Sequence, residues 1–329
     1  MTDDVHPTDE VQAGDIRAYA IFHPTAVRRQ LAANGNDDLR FVHYTSSAAA
    51  IGILESKSVW MRNVSCMNDF MEVEHGLECL AQAYAGEHGD RLKTALDSIQ
   101  SGICEEIQDL FNGWSPTFLR QTYVFCMSEH DANHEENNFG RLSMWRAYGR
   151  ETRLALVLKK EPFLTPTDAL NAYTSPVEYL SRDMFNDEFG KVVKGIIDNI
   201  GFVKTLGRDS LKGYLFQMFK FAALCTKHRG FQEEREWRVI YTHDLEPSKR
   251  LQMDVQIVGG SPQTIYKIPL KNAPEEGLIG IEAHEIVDRL IIGPTEYATA
   301  TRDAFVHLLE KAGVENAPHK VVVSDIPLR

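Results

Sequence analysis

From Arg40 onward the chain falls into short runs of contrasting period. RFVHY reads as a strand, and the following SSAAAIGILES reads as a short helix that Ser46 or Ser47 can cap by accepting a hydrogen bond from a free N–H. SVWMRNV returns to a period of two, the pattern of a half-buried strand. Beyond Asp69 the spacing changes again. Val73, Leu77, Leu80 and Tyr84 lie on one helical face, as do Leu92, Leu96, Ile99, Ile103, Ile107 and Leu110, so two amphipathic helices are expected.

YVFCMS and TRLALVLK read as buried strands, with EHDANHEENNFG as a polar loop and RLSMWRAYG as a helical turn between them. After PFLTPTD comes a helix over 209–225, with Leu211, Leu215, Met218 and Ala222 on one face, leading into FQEEREWRVIYT. The last third predicts strands at YKIPL, LIGIEA, RLIIG and KVVVS and one helix around 296–312. Strands and helices mix without regular βαβ order. The expected class is therefore α+β, a mixed sheet core with several flanking helices. Residues 1–38, with one apolar patch (AYAIFHPTAV) and a turn-rich NGND end, read as a flexible lead-in. Residues 39–329 read as a single domain with helical insertions around 71–115 and 180–226. No internal repeat interrupts this pattern.

Composition narrows the function classes. The 35 Lys and Arg against 47 Asp and Glu give a formal charge of -12, which disfavours an extended surface tracking nucleic-acid phosphates. Five cysteines without a CxxC pair indicate neither a disulfide framework nor a zinc ribbon. The acidic opening MTDDVHPTDEVQAGD lacks the features of a secretory signal, and no apolar run approaches the roughly 20 residues that cross a bilayer. A cytoplasmic protein with reduced thiols is expected.

Several motifs are missing. The chain has no GxGxxG after a strand, no GxxxxGK[ST] loop and no HExxH. Cys126, His130 and His134 have ligand-like spacing but sit in a segment read as a loop, so the histidines are expected to be solvated and no metal is expected. The pairs His130–Asp131 and His243–Asp244 lack the further ligands a metal phosphohydrolase needs.

Candidate site residues fall in four clusters. His43 by itself is readily explained as a packed strand histidine. Tyr44 and Thr45 beside it add a ring and a hydroxyl where strand gives way to helix, a common place for ligand contacts. Asn68, Asp69 and Glu72 can cap the next helix or line a pocket. Trp145 and Tyr148, three apart, are core aromatics or stacking groups. In EEREWR, Glu234, Glu236 and Arg238 alternate, which on an extended segment points all three to one side. They form either a solvated ion-paired face or a carboxylate held ionised by arginine and aimed at developing positive charge.

Taken in order, HYTS at 43–46, ILES, VWM, Asn68-Asp69 with Glu72, CMS at 126–128, Trp145 and Tyr148, Glu234 to Arg238, IIGP at 291–294 and SDIPLR resemble a bacterial domain-of-unknown-function family, twenty-nine seventy-one (DUF2971). The resemblance runs from about residue 40 to the C-terminus. Cys126 stands where that family more usually has Ser or a bulky apolar residue. A strand-borne histidine followed by a hydroxyl residue and a short helix, then a later hydroxyl-bearing strand and a late Glu-x-Glu, is also distantly similar to the ADP-ribosyltransferase fold.

That second resemblance implies NAD as a substrate, Glu236 or Glu234 as the catalytic carboxylate, and NAD contacts from His43, Tyr44, Thr45, Ser128, Trp145, Tyr148 and Arg238. Asn68, Asp69 and Glu72 would hold the loop or meet an unidentified macromolecular acceptor. The expected function is an NAD-consuming ADP-ribosyltransferase-like enzyme, a toxin or antiphage effector with a regulating partner or antitoxin. Two alternatives stay open: a metal-dependent nuclease or phosphohydrolase using Asp69, Glu72, Glu234 and Glu236, and a non-catalytic sensor that binds a nucleotide or a partner protein.

Overall fold

The period-two runs of the sequence become the strands of one sheet. The structure, a computed structural model, describes residues 7–66, 71–132, 134–147 and 153–327. In chain order the strands are β1 (Leu39–Ser46), β2 (Ser58–Asn63), β3 (Thr122–Asp131), β4 (Arg153–Lys159), β5 (Tyr173–Pro176), β6 (Glu178–Tyr179), β7 (Thr226–Lys227), β8 (Glu236–Thr242), β9 (Gln252–Val258), β10 (Ser261–Pro269), β11 (Val287–Ile292) and β12 (Val321–Val323). Among the described residues, 10 strands form a sheet of order β12-β11-β4-β1-β3-β2-β10-β9, with β8 on β3 and β5 on β8. β11 and β12 run parallel, and the other neighbours on that path are antiparallel. The fold is α+β with a mixed sheet and many helices. Among the described residues no helix is long and apolar enough to cross a membrane. All five cysteines are free thiols.

The described residues divide into two compact units rather than one domain. One takes in the described parts of Met1–Leu31, Asn68–Leu119 and Pro176–Phe231. The other takes in those of Ala32–Met67, Arg120–Ser175 and Gln232–Arg329. The second is the sheet unit. Phe41, Phe125, Met127 and Trp237 belong to its larger apolar cluster. Val42, Tyr44, Met144, Trp145, Ala155, Val157 and Ile291 form a smaller one. Ser46 supplies the predicted cap, accepting the Ala49 N–H at 3.2 Å at the head of the helix Ser47–Ser56.

The first unit is helical, apart from the short parallel ribbon β6–β7. Its helices Met71–Ala85 and Arg208–Leu224 approach so closely that a Cβ on Gly76 would lie 2.1 Å from the Ala223 carbonyl oxygen. Only glycine fits there.

Five expectations change. The lead-in expected to be flexible is helical, over Pro7–Phe22 and Pro24–Asn34. Three helices rather than two cover Met71–Gln121, because the break at Gln100–Gly102, where Gly102 adopts φ 75°, interrupts an otherwise continuous apolar face. β3 continues through Glu129, His130 and Asp131, and the helix His134–Phe139 follows, where a loop was expected. LIGIEA is not a strand. Gly280 at φ 75° breaks it, and only Leu278 makes an isolated bridge, to Ala273. β9, whose sequence QMDVQIV carries three polar residues, was not anticipated.

In the helical unit, His23 is packed between Tyr19, stacked at 4.6 Å, and the edge of Phe221 at 5.7 Å. Its Nε2 has no hydrogen-bond partner among the described residues. Burial first, and the nearby Lys220 ammonium second, push its pKa down to about 4. The fold thus holds the neutral ring, so this contribution to stability is full above the unfolded pKa of about 6.5 and is lost as pH falls towards 4. Between pH 7 and pH 4, wild-type protein is expected to lose about 3 kcal/mol more unfolding free energy than His23→Phe, measured by urea titration. Parallel losses in the two proteins would contradict the assignment.

Candidate functional site

β3 serves two strands along one edge. β1 pairs with it from Leu39–Asp131 to Val42–Ser128, and β2 pairs with it at Arg62–Val124 and Asn63–Tyr123. Between these ladders the sheet forks, and His43 occupies the fork. Its Nδ1–H donates to the Cys126 carbonyl at 2.9 Å, and its ring lies 4.7 Å from that of Phe125. Donation from Nδ1 leaves Nε2 as an acceptor. Burial lowers the His43 pKa, an effect that the bond to Cys126 partly opposes, so the ring is neutral at neutral pH. Sheet geometry thus gives the imidazole a defined tautomer.

β8 lies on the other edge of β3, in a register that places Ser128 opposite Glu236 and Cys126 opposite Arg238. Residues directly paired across a sheet share a face, and alternate residues along a strand change face. Val42, Ser128 and Glu236 therefore form one row, with Tyr44, Cys126 and Arg238 on the same side. Val42 and Tyr44 pack there with Met144 and Trp145. His43 and Thr45 alternate with them and belong to the side of Phe41, Phe125 and Trp237. The expected set is thus split across the sheet. His43 and Glu236 do not meet in a common cleft.

Glu236 and Arg238, two apart on β8, form a forked pair: Arg238 Nε donates to Oε1 at 2.8 Å and an NH2 donates to Oε2 at 3.1 Å. They are 5% and 4% exposed. Two parallel charge-assisted bonds fix the plane of the carboxylate. Glu234 is not their strand neighbour. It ends a 3₁₀ turn, Arg229–Glu234, and Arg235 takes a left-handed φ of 45°, so the alternation expected of EEREWR fails before Glu236. Arg235 instead ties the turn to Asp131 Oδ2 at 2.7 Å and to Glu136.

The aromatic candidates on this face are occupied by packing. Trp145 is wholly buried, donates Nε1–H to the Phe139 carbonyl at 2.7 Å, and meets Tyr44 edge-on at 4.9 Å. The Tyr44 hydroxyl accepts the Arg141 backbone N–H at 2.9 Å, and burial raises its pKa. Gly140, at φ 64°, lies under Trp145 so closely that a Cβ would be 2.5 Å from the indole. Neither ring is a stacking platform. Ser128 is also buried, and Thr45 is half-buried in β1. Asn68, Asp69 and Tyr148 lie outside the described residues, as does the side chain of Glu72 in the helix Met71–Ala85.

Sequence reading passed over the polar groups that lock this face. Arg141 donates to the carbonyls of Glu129 at 2.7 Å and Glu233 at 2.6 Å, while on the opposite face Trp237 Nε1–H donates to Glu129 Oε1 at 2.8 Å. His130, expected to be solvated, is wholly buried. Its Nε2–H donates to Asn137 Oδ1 at 3.0 Å, and burial lowers its pKa. Two arginines, Arg141 and Arg235, converge on Glu136. The available signal was the acidic first turn of HEENNF, with an arginine two residues beyond its end. Of the acids considered for a metal, Asp69 and the side chain of Glu72 lie outside the described residues. Among the described residues the grouping that comes within 4.8 Å is Glu282, His284 and Glu285, on another part of the chain.

No curated protein and no solved structure matches the chain. Residues 144–239 match the family model described as Protein of unknown function (DUF2971). The matched stretch runs from Met144-Trp145 through Glu236-Trp237-Arg238 and lies within the span over which the motifs suggested that resemblance.

Proposed function

We propose that the sheet unit is an NAD-consuming enzyme of ADP-ribosyltransferase type whose carboxylate is Glu236, working on the Ser128 side of the sheet rather than in a cleft shared with His43. One observation carries this reading: a forked Glu236–Arg238 pair is buried in a strand whose remaining residues up to Tyr241, namely Trp237, Val239, Ile240 and Tyr241, are apolar. Packing alone does not call for it, since apolar residues of similar volume commonly give equal or greater stability than a buried ion pair. A cluster of buried charge is a recognised mark of a functional site.

The chemistry suits the group. Breaking the nicotinamide–ribose bond sends the bonding pair out with nicotinamide and leaves positive charge on the sugar, while water or an acceptor nucleophile forms the new bond at that carbon and gives up its proton. An ionised carboxylate lowers the barrier by facing that charge. Arg238 fixes the plane of the Glu236 carboxylate, and substrate must loosen this pair to reach it. The alternative that the chain is a non-catalytic sensor is favoured in its partner-binding form by the burial of Tyr44 and Trp145, which leaves neither free to stack on a flat ring.

Incubation with nicotinamide-labelled NAD separates the two. The enzyme reading predicts nicotinamide release that persists in EDTA and falls at least about 100-fold in Glu236→Gln. Binding without turnover supports the sensor, and unchanged release by Glu236→Gln removes this carboxylate from the mechanism. Metal-dependent phosphodiester cleavage overturns both. The pair's structural weight is checked separately. Arg238→Met removes the forked partner of a buried carboxylate and is expected to cost about 3–5 kcal/mol of unfolding free energy, with part of this recovered in the Glu236→Gln/Arg238→Met double variant. A single-variant cost below about 1 kcal/mol would show a pair that is solvated in solution.

A further inference from the structure

β9 closes one end of the sheet order and pairs only with β10 among the described residues. The hairpin turns through Gly259 and Gly260, with φ of 59° and 84°, and its closing pair is Val258–Ser261. Positive φ at both residues is the signature of a two-residue hairpin turn whose closing pair is hydrogen-bonded. Bonded and non-bonded pairs alternate from there, so the backbone groups of Met253, Val255 and Ile257 face away from β10. Two details agree. Pro262, which has no N–H, stands opposite Ile257. The Val255 N–H is taken by Asp254 Oδ1 at 2.8 Å rather than by β10.

The side chains of the same three residues are the most open apolar row of the sheet, with Met253 66%, Val255 60% and Ile257 74% exposed. β9 has no lysine, arginine, proline or bulge, the usual devices that keep an edge strand from pairing. Its one acid is neutralised within the hairpin. Asp254 Oδ2 accepts from Lys267 Nζ at 2.5 Å and from Gln256 Nε2 at 2.8 Å.

We infer that this edge pairs with β9 of a second copy of the chain, antiparallel about a two-fold axis through Val255. In that register Met253 faces the partner's Ile257 and Val255 faces the partner's Val255, while Asp254 faces the partner's Gln256, an acceptor against an amide donor. Like charges do not meet, and the open N–H and C=O groups of each copy supply the other's partners. A strand of unrelated sequence would lack this self-match. Asp254 holds the Val255 N–H that the partner's carbonyl needs, so it restrains the association and makes it reversible. The interface is independent of any activity at Glu236.

Sedimentation velocity on the full chain over about 1–200 μM, a range spanning ordinary reversible dimers, tests this. A concentration-dependent monomer–dimer equilibrium is expected. Val255→Lys should leave only monomer, with far-UV circular dichroism and melting temperature unchanged, whereas Met184→Lys, at an exposed apolar position in the helical unit, should leave the dimer intact. The register is checked with a short bis-maleimide. Val255→Cys on the axis should crosslink beyond the wild-type background from the native cysteines, Met253→Cys should not, and Met253→Cys/Ile257→Cys should. A chain that stays monomeric throughout, a dimer that survives Val255→Lys, or crosslinking at Met253→Cys alone would overturn the proposal.

Discussion

β3 has only two edges, and three strands depend on them. β8 takes one edge along seven residues, from Thr122–Thr242 to Ser128–Glu236, while β2 and β1 divide the other. The sheet therefore forks at β3, and the Cys126 carbonyl in the fork is met by the His43 ring. A buried carbonyl left unmet would cost on the order of 1–3 kcal/mol. Register does the rest, because a one-residue slip of β8 would exchange Glu236 and Arg238 for Trp237 between the two faces. The pairing of β3 thus decides which side chains can act together.

Its consequence is a division of labour across the sheet. His43 and Thr45 lie on the side of the larger apolar cluster, while Tyr44, Ser128, Glu236 and Arg238 lie on the other. Among the described residues of that second side Arg238 is committed to Glu236 and Arg141 to two backbone carbonyls, while Arg235, just before β8, ties Asp131 and Glu136. Charge is abundant there but paired. A ligand that reaches Glu236 must compete with Arg238, whose guanidinium already offers the best geometry for a carboxylate.

Much of the sheet could be read from the chain because its signals are local. RFVHY, SVWMRN, YVFCMS and LALVLK carry their period in a few residues, and Ser46 carries its own cap. Other features depend on partners distant in sequence. His130 reads as a loop residue until β3 is seen to extend beneath Asn137, and Glu236 reads as one of an alternating pair until Arg235 turns left-handed. Trp145 and Tyr148 had equal claims to stacking by spacing. The close approach of Gly140 assigns Trp145 to the core. β9 was missed because Gln252, Asp254 and Gln256 make it half polar and its apolar row, Met253, Val255 and Ile257, is left exposed at an edge.

Residue-resolved hydrogen exchange tests the primacy of β3 most directly. The amides of Thr122–Ser128 that bond to β8 should exchange only through openings as costly as global unfolding of the sheet unit, while the outward amides of β9 exchange through far smaller ones. Exchange of the β3 amides by local opening, at rates like those of β9, would show that this strand does not carry the sheet.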